Sequence, residues 1–212
     1  FMNSTLISVG STVLQLISCS LAGYGLARFK FKGRSLVFAL LILGIIVPTQ
    51  VITIPLYGQM RFFDFFFLGQ VATPFAGMPL HVNLIGSPFS LLIPALCANG
   101  IRGCMYVFIF RQFFINLPLD LEDAAYIDGC GFIRTYISVI VPSAGAAFLV
   151  VFILSIIWYW NDVLVSSLFY SNVSTLAQQV DGMLPRLALN YDIFEIMQFQ
   201  QSACLYLILP VL

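Results

Sequence analysis

An all-α, polytopic membrane helix bundle is the fold class this chain predicts, and three observations carry it. Hydrophobic residues make up 60% of the 212 and charged residues 8%, and mean hydropathy is +1.00, too apolar for a wetted surface. Uncharged runs at 1–27, 35–60, 135–161 and 163–180 reach or approach the roughly 20 residues that a helix needs to cross a hydrocarbon core of about 30 Å. Formal net charge is zero. No global field points to nucleic acid, so the placement of the few charges carries the information.

The first break in hydrophobicity holds Arg28, Lys30, Lys32 and Arg34, with no acid. Short loops rich in Lys and Arg stay cytoplasmic, which sets 3–27 running inward and 35–58 outward. The cluster reads either as a membrane-edge anchor or as a specific contact. An external loop of about 59–88 comes next. Phe62-Phe63-Asp64-Phe65-Phe66-Phe67 opens it as an interfacial aromatic segment, before Gly69, Pro74, Gly77 and Pro79. A helix over 89–114 returns to the cytoplasm, 142–164 goes out again, and a last helix starts at about 196. This predicts about five membrane helices. Pro48 and Pro55 in the second and Pro88 and Pro94 in the third predict kinks, since each removes a backbone donor.

With no internal repeat or linker, residues 1–212 read as one membrane domain. The chain starts at Phe1 without a basic n-region and stops at Leu212 inside an apolar run begun at Ile196. Both ends read as cut, with a further helix expected before residue 1 and a longer last helix. Cys19, Cys97, Cys104, Cys130 and Cys204 lack a Cys-x-x-Cys pair or a His at metal spacing and read as small hydrophobes. The sole histidine, His81, reads as a loop residue. No metal site, cofactor or catalytic group is expected.

A polar interruption, Leu121-Glu122-Asp123-Ala124-Ala125-Tyr126-Ile127-Asp128-Gly129, lies in a cytoplasmic loop of about 115–141, with Pro142 thirteen residues after the glycine. Pro118 ends the preceding helix, Asp120 is placed to cap a new one, and Asp123 is placed to reach back toward that cap. Asp120, Glu122 and Asp123 in the first turn suit the positive helix end. Gly129 suits the left-handed conformation that stops the helix about two turns later. Ala124 and Ala125 leave it thin enough for close approach to another protein; the local pattern equally fits an ordinary capped interfacial helix.

The spacing beyond this helix resembles the permease subunits of bacterial ATP-binding-cassette importers. Their signature is Glu-Ala-Ala, three residues, Gly, nine residues, then Ile-x-Leu-Pro. Asp123-Ala124-Ala125, Gly129 and Val139-Ile140-Val141-Pro142 occupy those positions, with Asp for Glu, Val for Ile and Val for Leu as departures that keep chemical type. Tyr24-Gly25-Leu26-Ala27-Arg28-Phe29, Pro48-Thr49-Gln50, Ile54-Pro55-Leu56-Tyr57, Phe110-Arg111-Gln112-Phe113-Phe114 and Trp160-Asn161-Asp162 look like the carbohydrate branch, in particular its maltose-type second permease subunit.

The resemblance implies a binding-protein-dependent importer permease fold in a bacterial inner membrane. It further implies an ATP-binding subunit dimer, a second permease subunit and an extracytoplasmic solute-binding protein as partners, beside membrane lipid. Glu122, Asp123, Ala124, Ala125, Gly129 and Pro142 would couple to the ATPase, and the cargo would be a sugar or polyol. The chain holds no Gly-x-x-x-x-Gly-Lys-Ser/Thr loop, so nucleotide is expected on another chain.

Candidate solute-pathway residues are Arg102, Trp160, Asn161 and Asp162. Arg102 lies nine positions before Arg111, about 13 Å along a continuous helix and hence near mid-bilayer. It reads as a pathway residue, a snorkelling side chain or a partner to the second permease. The aromatic-polar run from Trp158 to Asp162 reads as an interfacial belt or as a sugar contact. The rival function is a secondary transporter driven by an ion gradient, and a non-sugar solute is the other alternative.

Overall fold

The computed structural model describes residues 1–63, 82–170 and 175–188. Its elements are α1 (Met2–Arg28), α2 (Arg34–Ile46), α3 (Thr49–Arg61), α4 (Phe89–Leu96), α5 (Gly103–Asn116) and α6 (Asp120–Ile127). They continue with α7 (Phe132–Thr135), a π-helical turn (Tyr136–Ile140), α8 (Val141–Ser143), α9 (Gly145–Asn161), α10 (Leu164–Phe169) and α11 (Leu176–Ala188). Among the described residues, extended pairing is limited to one antiparallel bridge, Phe63 to Val82.

The central helix, α1, packs against α4, α5 and α9. Its buried face is mostly small or polar, with Ser4, Ser8, Ser11, Thr12, Gln15, Cys19 and Gly23 beside Ile7, Tyr24 and Leu26, while Leu6, Val9, Val13, Ile17 and Leu21 point outward. Polar inside and aliphatic outside is the pattern of a helix whose surroundings are lipid and whose neighbours approach closely. Gly23 marks that approach: a Cβ there would lie 2.6 Å from Phe110 Cβ. Thr12 donates to Ser155 on α9 at 3.2 Å, and Tyr136 donates to Ser20 at 2.8 Å.

Among the described residues, one helix, α1, is by itself long and apolar enough to cross a membrane. Three bent pairs pass the same test together: α2 with α3 (108°), α5 with α6 (74°), and Phe132–Ser143 with α9 (77°). The expected outward helix 35–58 is therefore broken at Val47-Pro48, where the proline lacks the donor needed to continue α2. The expected inward helix 89–114 is not continuous either. It stops at Leu96, with Pro94 in its last turn, and restarts at Gly103. The expected helix 142–164 begins at Gly145, after a bend at Ala144. The last helix from about 196, the segment 64–81 with Asp64 and His81, and Cys204 lie outside the described residues.

Candidate functional site

Two regions concentrate the function-bearing residues. At the end of the bundle that holds the basic loop, α6 carries the polar interruption. Leu119 is already helical in backbone (φ −67°, ψ −28°), so the helix starts at Asp120 and no side chain caps it. The expected capping by Asp120 with Asp123 reaching back is thus not what forms. The three acids of the first turn act through the field of the helix end.

The C-terminus closes as expected, with Gly129 at φ +79°. Cys130 N–H donates to Ala125 O at 2.9 Å and Gly129 N–H to Tyr126 O at 3.0 Å, the paired bonds of a Schellman stop.

This helix has two faces. Asp123, Ala124, Ile127 and Asp128 are exposed, and Ile127 retains 86% of its surface. Glu122 and Ala125 turn into the bundle, at 7% and 6%. A partner arriving from outside therefore meets Asp123 and Ala124, not the whole set 122–125 expected from spacing. Glu122 is instead paired with Arg28, Nε to Oε1 at 2.7 Å, as a close charge contact without an aligned N–H bond between those two atoms. Arg28 Nη2 also donates to Leu117 O at 2.9 Å. Two residues of the basic cluster make specific contacts, Arg28 here and Arg34, whose Nη2 donates to Ala27 O at 3.0 Å, whereas Lys30 and Lys32 stay exposed. Rings of Tyr24, Phe29, Phe132 and Tyr136 close over this junction, with centroids 5.1–6.3 Å apart. Pro142 lies beyond the π-helical turn, in α8, and is itself exposed.

The second region is a cavity of about 470 Å³ where the α2/α3 break, the α4/α5 break and the end of α9 converge. Its lining includes Thr49, Gln50, Asn99, Arg102, Trp158, Tyr159 and Asp162. The break over 97–102 leaves backbone groups without helical partners, and neighbouring side chains take them. Gln15 Nε2 donates to Ile101 O at 3.0 Å, Ile101 N–H donates to the Tyr159 hydroxyl at 3.3 Å, and Ser18 donates to Ala95 O at 2.6 Å. Irregular backbone inside a membrane bundle persists where it is satisfied in this way and borders a cavity.

Arg102 has a left-handed backbone (φ +56°) at the N-cap of α5, so the helix from it to Arg111 is continuous and the expected separation of about 13 Å holds; the break lies just before it. Its guanidinium lies 3.7 Å from the Trp158 ring centroid.

Of the four expected pathway residues, the cavity gathers Arg102 and Asp162. The Asp162 carboxylate accepts N–H groups of Ser166 (2.6 Å) and Val165 (3.3 Å) at the start of α10. Asn161 does not line it: the side chain is exposed and donates to Ile157 O at 2.9 Å within its own helix. Trp160 is buried against Phe1, ring centroids 5.5 Å apart, also away from the cavity. On a helix, Trp158 and Asp162 are four residues apart and share a face, while 160 and 161 look elsewhere. Sequence reasoning missed Thr49, Gln50 and Asn99 as lining residues, and named Trp158 only within the run 158–162, not among the four pathway residues. The helix-face spacing to Asp162 was the available signal for Trp158.

A helical membrane bundle with a two-faced polar helix at one end and a polar cavity between broken helices is the architecture of a transport component. The chain belongs to the family described as binding-protein-dependent transport system inner membrane component, whose model matches residues 19–212. It is similar to the arabinooligosaccharides transport system permease protein AraQ of Bacillus subtilis, 29% identical over 214 residues, covering 100% of this chain and 66% of the relative. A putative ABC transporter permease protein, ORF2 of a Caldicellulosiruptor species, is 32% identical over 166 residues, covering 76% of this chain and 51% of its own. The probable starch degradation products transport system permease protein AmyC of Thermoanaerobacterium thermosulfurigenes is 27% identical over 175 residues, 82% of this chain and 56% of that protein. The chain spans between 51% and 66% of the length of these three relatives.

Proposed function

We propose that this chain is the membrane-spanning part of an ATP-driven importer subunit that carries a sugar or related polyol. An ATP-binding subunit docks on the Asp123, Ala124, Ile127, Asp128 face of α6, and solute passes along the cavity beside Arg102. The observation that carries the reading is the exposed α6 face itself. A short acidic helix with Ala124 and Ile127 outward is a grip for a soluble partner, set at the signature spacing to Pro142. Nucleotide hydrolysis biases the bundle only if the ATPase holds this helix differently in its open and closed states.

The cavity suits hydroxyl-rich cargo. Trp158 and Tyr159 offer ring faces, and Thr49, Gln50, Asn99 and Arg102 offer donors and acceptors in few, separated positions, as in small-molecule sites generally. A second permease, a solute-binding protein and surrounding lipid complete the expected assembly. The names of the relatives, arabinooligosaccharides and starch degradation products, support a carbohydrate cargo.

The test is a cysteine at position 124 in the full-length protein co-expressed with its neighbouring ATPase. Crosslinking to that subunit, together with ATP-dependent uptake of arabinotriose or maltotriose into vesicles, is the expected result. An assembled membrane protein that never crosslinks, or uptake driven by an ion gradient without ATP, overturns the reading.

A further inference from the structure

We infer that Arg28 is a positioning residue that ties the α6 helix to the cytoplasm-directed end of α1, so that the two move as one body. The inference rests on the importer reading for what pushes on α6. The tie itself rests on geometry alone.

The backbone of α6 packs closely against its sequence neighbours, α7 and the π-helical turn. The link across to α1 is made by side chains. Arg28, the last residue of α1, reaches two points at once: Glu122 in the first turn of α6 at 2.7 Å, and the carbonyl of Leu117, just before α6, at 2.9 Å. A guanidinium has donors in a fixed fork for two such partners, whereas an ammonium is a single point of charge. Both side chains are about a tenth exposed, so water and salt screen the pair weakly. The faces of α6 divide accordingly: Asp123, Ala124 and Ile127 point to solvent, and Glu122 points to Arg28. A force applied to the outer face is thus delivered through a rigid two-turn helix to the end of α1.

What α1 does with that displacement is also visible. Gln15 and Ser18, on α1, hold the carbonyls of Ile101 and Ala95 at the break that carries Arg102. Motion of α1 therefore reaches the cavity wall through these hydrogen bonds as well as through its packing on α4, α5 and α9. Spatial continuity alone does not establish coupling, so the test must measure it as a pair.

The experiment places spin labels at the exposed positions Lys30 and Leu119 of the full-length protein, in a cysteine-free background and assembled with its ATPase in lipid. Distances are measured without nucleotide and after ATP with vanadate. One narrow distance, retained on trapping, is expected with Arg28 and Glu122 in place. Arg28→Gln and Glu122→Gln should each broaden the distribution or shift it by more than about 5 Å, the pitch of one helical turn. The exchanged pair, Arg28→Glu with Glu122→Arg, should narrow it again. If Arg28→Gln fails to assemble, Glu122→Gln, which keeps the shape and removes the charge, decides in its place. A narrow distance in the Gln variants overturns the tie, and an exchanged pair as broad as the single variants overturns the charge pairing. Absence of vanadate-trapped nucleotide in the unaltered complex faults the importer reading instead, while the nucleotide-free distances still decide the tie.

Discussion

Gly129 and Gly131 form a matched pair of positions at the end of α6. A Cβ at either would find no atom within 4 Å. They differ in backbone: Gly129 has φ +79°, and Gly131 has φ −74°, ψ 165°, an ordinary extended conformation. Replacing either by Ala removes unfolded-chain freedom, which stabilises by about 0.4–1 kcal/mol when the native angles suit the new residue. At 129 the left-handed conformation costs an L side chain about 1–2 kcal/mol. The entropy gain is common to both variants and cancels in their difference. Gly129→Ala should therefore be less stable than Gly131→Ala at this helix end by about 1–2 kcal/mol, a factor of roughly 5–30 in local opening.

The assay is amide hydrogen exchange on the full-length protein in lipid nanodiscs. The reporters are the N–H groups of Asp128, Gly129 and Cys130, which close the helix end onto Ala124, Tyr126 and Ala125. Faster exchange at 128 and 130 in Gly129→Ala, with Gly131→Ala unchanged or slower, is the expected outcome. Gly129→Asn should fall between, since Asn visits the left-handed region more readily. Equal exchange in the two alanine variants would refute the reasoning, because it would mean that the Schellman closure is not what holds the helix end.

The geometry sets four further outcomes. A thiol at position 124 should react with a soluble maleimide in the absence of the ATPase much faster than one at 125, whose native side chain is 6% exposed; equal rates would contradict the two-faced helix. Tyr159→Phe removes the acceptor of the Ile101 N–H in a buried site and should lower stability by about 1–3 kcal/mol, read as a lower thermal midpoint in detergent. Asp162→Ala should loosen the start of α10 by about 1 kcal/mol while Asp162→Asn retains most of it, measured by exchange at Val165 and Ser166. Arg102→Leu should impair uptake with assembly intact, and Asn161→Ala should leave uptake unchanged; the reverse pattern would move the solute path away from the cavity.

The legible and illegible parts of the sequence divide along physical lines. The helical class, the breaks near Pro48 and Pro94, and the stop at Gly129 are local consequences of composition and backbone chemistry, and they are legible. So is the presence of a short acidic helix between apolar segments. Which of its residues face outward is not: Glu122 and Asp123 are adjacent and chemically alike, and a partner 94 positions away, Arg28, decides which one turns in. The basic cluster reports topology, a summed property. The contact of Arg28 with Glu122 depends on where α1 ends relative to α6.

The cavity shows the same limit more sharply. Counting back from Arg111 places Arg102 along α5 but does not show that the chain unwinds just before it, where Gln15, Ser18 and Tyr159, on other helices, hold the segment 97–102. A buried Gln on an otherwise small-residue helix face is the visible clue. Gln15 has two donors and an acceptor to satisfy, and a regular neighbouring helix, whose interior carbonyls are already engaged, offers it poor partners. A glutamine in that setting pairs either with a side chain, as Thr12 does with Ser155, or with irregular backbone opposite it. Here the unwound segment at 97–102 supplies that partner, the carbonyl of Ile101, and the same break is what opens the wall of the cavity to Arg102.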